Sequence, residues 1–333
     1  MGKKWEKLKV LIAGCGSIGR RHARVLTSLG VKDIMAFDNN RGQFELLRKE
    51  LPDLKFVSSF ETALKEADAA FILTPTKLHI PMAIQAVKAG CHVFIEKPLS
   101  VNMDGVIELE KLADEMGKKI MVGLCFRYHE GIKKAKQMLD MGRIGRLVSV
   151  RALMGEHFPE IHPEYKSLSS AKYFGAFELM HDLDLAIWFA GQPVKNVFSV
   201  FGSYSDIGIE APDIVEFLLG FEDRCTATVH LDFFQSPRRR NMELIGTKSV
   251  ITIEFASWDE YTLSVYNAEK KIWESENNKS ARDDMFRVED REFLESAAQD
   301  KPIICNLQEG CKSLRVIEAA LKKITDLNSI KTR

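Results

Sequence analysis

Leu8-Lys9-Val10-Leu11-Ile12-Ala13-Gly14-Cys15-Gly16-Ser17-Ile18-Gly19 is the stretch whose reading decides the fold. An apolar run of strand length meets glycines at Gly14, Gly16 and Gly19, and Arg20-Arg21-His22-Ala23-Arg24-Val25-Leu26 continues as a helix. The first glycine permits a tight turn, the second lets backbone approach a pyrophosphate, and the third lets helix pack on strand. Free N–H groups at Ser17, Ile18 and Gly19 then face the phosphates at a helix N-terminus. A second apolar run, Ile34-Met35-Ala36-Phe37, ends in Asp38, placed where an acid holds the adenosine ribose. A carboxylate there accepts from a 2′-hydroxyl and repels a 2′-phosphate by roughly 1 kcal/mol in water and about 4 kcal/mol near a protein surface at ~4 Å. NAD is the expected cofactor; Arg41 leaves NADP open.

Composition narrows the class. The chain has 333 residues, of which 45% are hydrophobic, enough for two domains. Lys plus Arg equals Asp plus Glu at 47 each, which argues against nucleic acid or an anionic membrane as partner. No apolar run reaches the ~18 residues of a membrane span. The start, Met1-Gly2-Lys3-Lys4-Trp5-Glu6-Lys7, lacks the apolar core of a signal peptide and the Ser or Thr of a myristoylation signal. Cys15, Cys91, Cys125, Cys225, Cys305 and Cys311 form no C-x-x-C and no zinc spacing, so no metal is expected. The expectation is a cytoplasmic protein without disulfides.

Strand candidates at 8–13, 33–37, 55–58, 69–74, 92–96 and 119–124 alternate with amphipathic helices, giving βαβ repetition and a doubly wound parallel sheet. Beyond residue 124 the pattern changes. Cys225, Ala227, Val229, Leu231 and Phe233 alternate with Thr226, Thr228, His230 and Asp232, the period of a strand with one polar face. Met242–Ile245 and Val250–Ile253 flank a Gly-Thr-Lys-Ser turn and read as a hairpin. Helices close the chain near 285–298 and 307–326. The fold class expected is a Rossmann domain over 1–123 and an α+β domain over 124–333 with a large, open, mostly antiparallel sheet. The polar stretch Glu274 to Asp284 reads as a solvated loop, and Arg238-Arg239-Arg240 as a solvated strand edge. An open sheet of this size needs a cover, so a homodimer or homotetramer through the C-terminal sheet is expected.

The strand at 92–96 ends in Glu96-Lys97-Pro98. Ligands bind beyond the carboxyl ends of strands in a doubly wound sheet, which puts Lys97 where a nicotinamide would lie. A lysine there can hold a hydroxyl, exchange its proton and stabilise an alkoxide. A surface lysine at a strand end has the same sequence. Pro98 can fix the strand end, since X-Pro tolerates the cis form at low cost.

The glycine turn, Thr74-Pro75-Thr76-Lys77-Leu78-His79, Glu96-Lys97-Pro98, Gly123 to His129, and Gly175-Ala176-Phe177-Glu178-Leu179-Met180-His181-Asp182-Leu183-Asp184 follow one another in order. Together they resemble the Gfo/Idh/MocA family of sugar and polyol oxidoreductases over nearly the whole chain. The resemblance implies that Lys97 is the catalytic lysine, that Thr74, Pro75 and His79 line the cofactor near its nicotinamide ribose, and that Glu96 orients that ribose or Lys97. It implies His181 as the partner acid/base; an isolated histidine also fits helix packing. Many members carry an aspartate four residues before that histidine. This chain has Phe177 there and its acid, Glu178, three before; in a helix the two would share a face. Asp184, three after, can orient the imidazole. Arg127, Tyr173 and Asp184 are the candidate substrate contacts.

The function expected is hydride transfer between nicotinamide and a carbinol carbon of a sugar, polyol or sugar derivative, with the active cleft between the domains. Two alternatives stand beside it: a redox-assisted isomerase, epimerase or glycosidase with retained NAD, and a non-enzymatic NAD-binding sugar sensor.

Overall fold

Parallel pairing in the first half of the chain follows from strands buried on both faces. The computed structural model describes residues 3–168 and 170–327; the ends of the two expected domains, Met1-Gly2 and 328–333, lie outside them. β1 (Lys9–Ala13), β2 (Asp33–Phe37), β3 (Lys55–Phe56), β4 (Ala69–Ile72), β5 (His92–Glu96) and β6 (Ile120–Gly123) form one sheet in the order β3-β2-β1-β4-β5-β6. Every pairing in it is parallel. Val10 to Ala13 and Ala69 to Ile72 have no exposed surface, as a doubly covered sheet requires. The connecting helices are α1 (Ser17–Ser28), α2 (Arg41–Glu50), α3 (Phe60–Leu64), α4 (His79–Lys88) and α5 (Val106–Glu115). Asn40 caps α2 by accepting from the Gly42 and Gln43 N–H groups, and Ser59 caps α3 through Thr62 N–H.

The second half holds α6 (Glu130–Asp140), β7 (Leu147–His157), α7 (Phe158–Ile161), α8 (His181–Ala190), β8 (Val194–Gly202), β9 (Ile214–Phe221), β10 (Thr226–Asp232), β11 (Phe234–Gly246), β12 (Val250–Phe255), β13 (Glu260–Asn267) and β14 (Ile272–Lys279), then α9 (Arg282–Gln299) and α10 (Leu307–Leu327). Its sheet runs β14-β13-β12-β11-β7-β10-β9-β8. It is antiparallel except for β10 against β7. The expected hairpin pairs Met242 with Ile253 and Ile245 with Val250. Along β10, Ala227, Val229 and Leu231 are fully buried while Thr226 and Thr228 are exposed.

Two corrections arise here. Glu274 to Lys279 is not a loop but most of β14, an edge strand with neither face buried. Its pairing is reinforced by polar rungs, Ser264 with Ser275 at 2.8 Å and Thr262 with Asn277 at 2.8 Å. The arginine run is not a solvated edge either: Arg239 is exposed, but Arg240 is 4% exposed and Arg238 packs on Trp258 at 4.2 Å. Period-two alternation in β11 sends residues 238 and 240 inward.

The chain divides into two compact units: residues up to Tyr128 with Asp283–Leu314, and His129–Arg282 with the residues from Arg315 on. The first unit thus includes most of α9 and the start of α10. Phe293 of α9 stands edge-on to Phe71 of β4 at 5.1 Å, and Val122 N–H donates to Cys305 O at 2.8 Å.

Candidate active site

All strands of the first sheet point the same way, so their carboxyl ends share one edge. Along it lie Asp38 after β2, Gly14 after β1, Thr74 after β4 and Lys97 after β5. From β2 to β5 is three strand spacings, about 14 Å. The glycine turn sits between an acid on one side and a lysine on the other.

Gly14 has φ of +105°, and a Cβ there would meet Leu73 O at 2.4 Å. A Cβ on Gly19 would meet Gly14 O at 1.9 Å. Both glycines are demanded by the chain itself. Gly16 differs: a Cβ there would touch nothing within 4 Å. It is the N-cap residue of α1, and no side chain caps the helix, so the first N–H groups of α1 are without a side-chain acceptor there. Asp38 is fixed by two short bonds, accepting from Cys15 N–H and Asn40 N–H at 2.6 Å each. Each carboxylate oxygen keeps further acceptor capacity. Open space at Gly16, an uncapped helix start and a preset acid fit a dinucleotide's pyrophosphate and adenosine ribose. Cys15 does not offer a nucleophile: burial, then the charge of Asp38, pushes its thiol up to about 12. All six cysteines are buried, and none forms a disulfide.

Lys97 follows β5 directly, is half-buried, and joins Pro98 through a cis bond. His79 is the brace of this turn. It is 1% exposed, with Nδ1 2.8 Å from Pro98 O and Nε2 2.7 Å from Thr74 O. Burial pulls its imidazole below the ordinary value, against the pull of those carbonyls. A neutral ring donates to one carbonyl only. His79 thus sits between the tip of β4 and the tip of β5, with a ring nitrogen facing a main-chain carbonyl of each and one of the two hydrogen-bonded when the ring is neutral. Thr74 Oγ1 donates to Met82 Sδ at 3.6 Å, and Pro75 precedes a 3-10 turn over Thr76–Leu78. Glu96 is the last residue of β5. It leaves the same face of β5 as Phe94, two residues before it, and is 7% exposed.

In the second unit His181 is the first residue of α8 and is half-buried. Glu178 lies in the 3-10 turn Gly175–Leu179 that precedes it. The shared helix face expected for the two is replaced by a turn-to-helix junction at Met180. Phe177 is 2% exposed and packs on Phe201 at 5.0 Å, so this position belongs to the core. Tyr173 is 78% exposed. Asp184 is 1% exposed, and Arg127 of the first unit is buried with Nη1 donating to Glu309 at 2.9 Å.

One pair was not legible in the sequence. Arg240 Nε donates to Asp182 Oδ1 at 3.0 Å, and Arg240 Nη2 stands 2.9 Å from Asp182 Oδ2. Burial raises the Asp182 carboxyl above its ordinary value and Arg240 pulls it back. This buried ion pair, one hydrogen bond and one close charge contact, links the first turn of α8, next to His181, to the middle of the second sheet. A cavity of about 870 Å³ lies elsewhere, lined by His92, Lys118, Lys119 and Asp300 among others. It opens at the amino ends of β5 and β6, opposite to the edge described above. Among the described residues no cluster of His, Cys, Asp or Glu could hold a metal, and no helix is long and apolar enough to cross a membrane.

Comparison with known proteins gives the following. Residues 8–124 match the model of the GFO_IDH_MocA oxidoreductase family, NAD-binding Rossmann fold. Residues 132–252 match that of the GFO/IDH/MocA C-terminal domain. The myo-inositol dehydrogenase Hyg17 of Streptomyces leeuwenhoekii is 25% identical over 226 residues, covering 68% of this chain and 66% of that protein. An inositol 2-dehydrogenase of Salmonella typhimurium is 28% identical over 208 residues, 60% of each. These matches span less than two thirds of either relative's length. In fold, the chain is similar to the myo-inositol 2-dehydrogenase of Lactobacillus plantarum (TM-score 0.80, 24% identity, 96% and 97% of the two chains). It is also similar to the WlbA dehydrogenase of Bordetella pertussis, solved with NADH and UDP-GlcNAcA (TM-score 0.81, 21% identity, 96% of each chain). The two family models span both halves of the architecture, and the chain belongs to the GFO/IDH/MocA oxidoreductase family with its NAD-binding Rossmann fold.

Proposed function

We propose that the protein is an NAD-dependent dehydrogenase acting on a secondary CH–OH group of a cyclitol, sugar or sugar derivative. The observation that carries the reading is the strand edge: an acid at β2, an open glycine cradle at β1 and a half-buried lysine at β5, in line. The named activities of the inositol dehydrogenases above point to the same substrate class. Gly16, Ser17, Ile18 and Gly19 would hold the pyrophosphate through backbone N–H groups, while Gly14, whose own N–H donates to Phe37 O at 2.9 Å, shapes the turn; Asp38 would hold the adenosine ribose, and Thr74 and Pro75 would border the redox end. The bound cofactor supplies the hydride acceptor at nicotinamide C4. Lys97 orients the substrate hydroxyl, and its charge stabilises the alkoxide as the C–H bond breaks. His181 is the second group handling that proton, with Glu178 near it in sequence as its orienting acid.

The proposed set leaves out Arg127 and Asp184, whose charges are enclosed, and gives His79 a bracing role. Tyr173, largely exposed, remains a substrate contact. We propose as well a homo-oligomer through the second sheet, where Phe198 and Leu218 face each other across β8 and β9 at 58% and 48% exposure. Light scattering at micromolar concentration checks it; a monomer contradicts it. The catalytic reading is tested by following NADH absorbance across a panel of inositols, sugars and nucleotide sugars. Reduction of NAD with at least one of them is expected. Tight NADH binding with no turnover on any would favour a sensor instead.

A further inference from the structure

Behind Lys97, inside the first unit, lies a layer of acids that the proposed chemistry does not use. Glu289 of α9 has no exposed surface, and neither of its carboxyl oxygens has a hydrogen-bond partner among the described residues. One turn further along α9, Phe293 packs on Phe94 of β5 at 5.8 Å, and Glu96 leaves the same face of β5 as Phe94. From α1, His22 stands 5.1 Å from Phe94 and 5.6 Å from Phe71. Glu96, Glu289 and His22 thus converge on one dry layer between β5, α1 and α9.

We infer that Glu96 and Glu289 together hold one proton at neutral pH, and that the single negative charge left acts from beneath on Lys97, making Glu96 a positioning residue rather than a cofactor contact. The role for Lys97 rests on the function proposed above; the shared proton does not.

Several charged groups surround this layer. His22 Nδ1 lies 2.9 and 3.1 Å from the two Asp290 oxygens. Burial pulls the imidazole down, but Asp290 and then Glu96 more than offset it. Burial raises the Asp290 carboxyl against the pull of His22. Both members favour keeping their common proton, so this pair is neutral whichever atom carries it. Arg21 of α1 is bound to Asp283 at 3.0 Å. Glu292 accepts from Tyr128 Oη at 2.8 Å and from Ile304 N–H at 2.7 Å. Among these groups no cation is left for Glu289. Burial, then Asp290, Glu96 and Glu292, raise it well above the ordinary carboxyl range. Two carboxyls in one dry site cannot both ionise. Glu289, the more enclosed, is the one that keeps the proton; Glu96, at the strand tip, stays charged. Lys97 is its chain neighbour.

Infrared spectroscopy of the intact protein with carbon-13-labelled glutamate tests the proton directly. A protonated-carboxyl band is expected at neutral pH in the wild type and is lost in Glu289→Gln. No band in the wild type, or a band unchanged in Glu289→Gln, overturns the shared proton. The charge on Lys97 is read from the pH profile of turnover with whichever alcohol the panel identifies. Glu96→Gln is expected to move the midpoint assigned to Lys97 to lower pH by about half a unit or more. A merely structural role leaves the midpoint in place and overturns the positioning. If no alcohol is turned over, the proposed function fails while the infrared result still stands or falls by itself.

Discussion

The glycine turn after β1 and the start of α8 present functional groups in opposite ways. The first is built from backbone: Gly14 and Gly19 clear the approach, and Asp38, 23 residues on from Cys15, is held by main-chain N–H groups. The second is built from side chains. Next to His181, Asp182 is held by Arg240, 58 residues away on another element. A backbone site needs only local steric permission. A side-chain site needs a distant partner, and it loses stability when that partner is cut.

Substitutions in each region can break this contrast. The largest effect is expected at Lys97, which stands on the backbone-built edge but acts through its side chain. Lys97→Ala should lower kcat by about 10²- to 10⁴-fold while changing NADH affinity far less; equal turnover in the two proteins would remove the lysine from the chemistry. Arg240→Met comes next. It strands the buried Asp182 carboxylate, and chemical denaturation should show a loss of about 3–5 kcal/mol. NADH affinity, a property of the first unit, should hold. A neutral result would mean that the pair does not anchor α8.

The effect at Glu289 is graded with pH, and its sign follows from linkage. The folded-state carboxyl titrates well above its ordinary value. The folded protein therefore binds more protons than the unfolded chain once the pH passes the unfolded value of about 4.3, and stability falls as pH rises from there. Glu289→Gln removes this one site. Its stability relative to wild type should grow with pH by up to about 1.4 kcal/mol per unit between the unfolded and folded values. A constant offset across that range would show Glu289 ionised in the native state.

The same contrast explains what the sequence made legible. The β1–α1 turn, Asp38 and the strand tip at Lys97 could be read because each carries a short signature of residue types at fixed spacing. The hairpin around Gly246 and the alternation along β10 were readable for the same reason. The Arg240–Asp182 pair was hidden, since a run of three arginines reads as solvent-facing unless the strand's inward face is known. Glu289 and His22 were hidden likewise: a carboxyl one helical turn from Phe293 says nothing of the strand it packs on. β14 is not legible as a strand because an edge with neither face buried carries no apolar alternation. Phe177 shows the limit of transferring a motif by position, since the place where the resemblance implies an acid is here a ring in the core.

Gly16 offers the most direct test, because a side chain there meets nothing of the protein itself. NADH titration and thermal melting of Gly16→Ala against wild type separate ligand from fold. An affinity loss of about tenfold or more is expected, with the melting temperature within about 4 °C. Unchanged affinity would contradict a dinucleotide cradle at this turn.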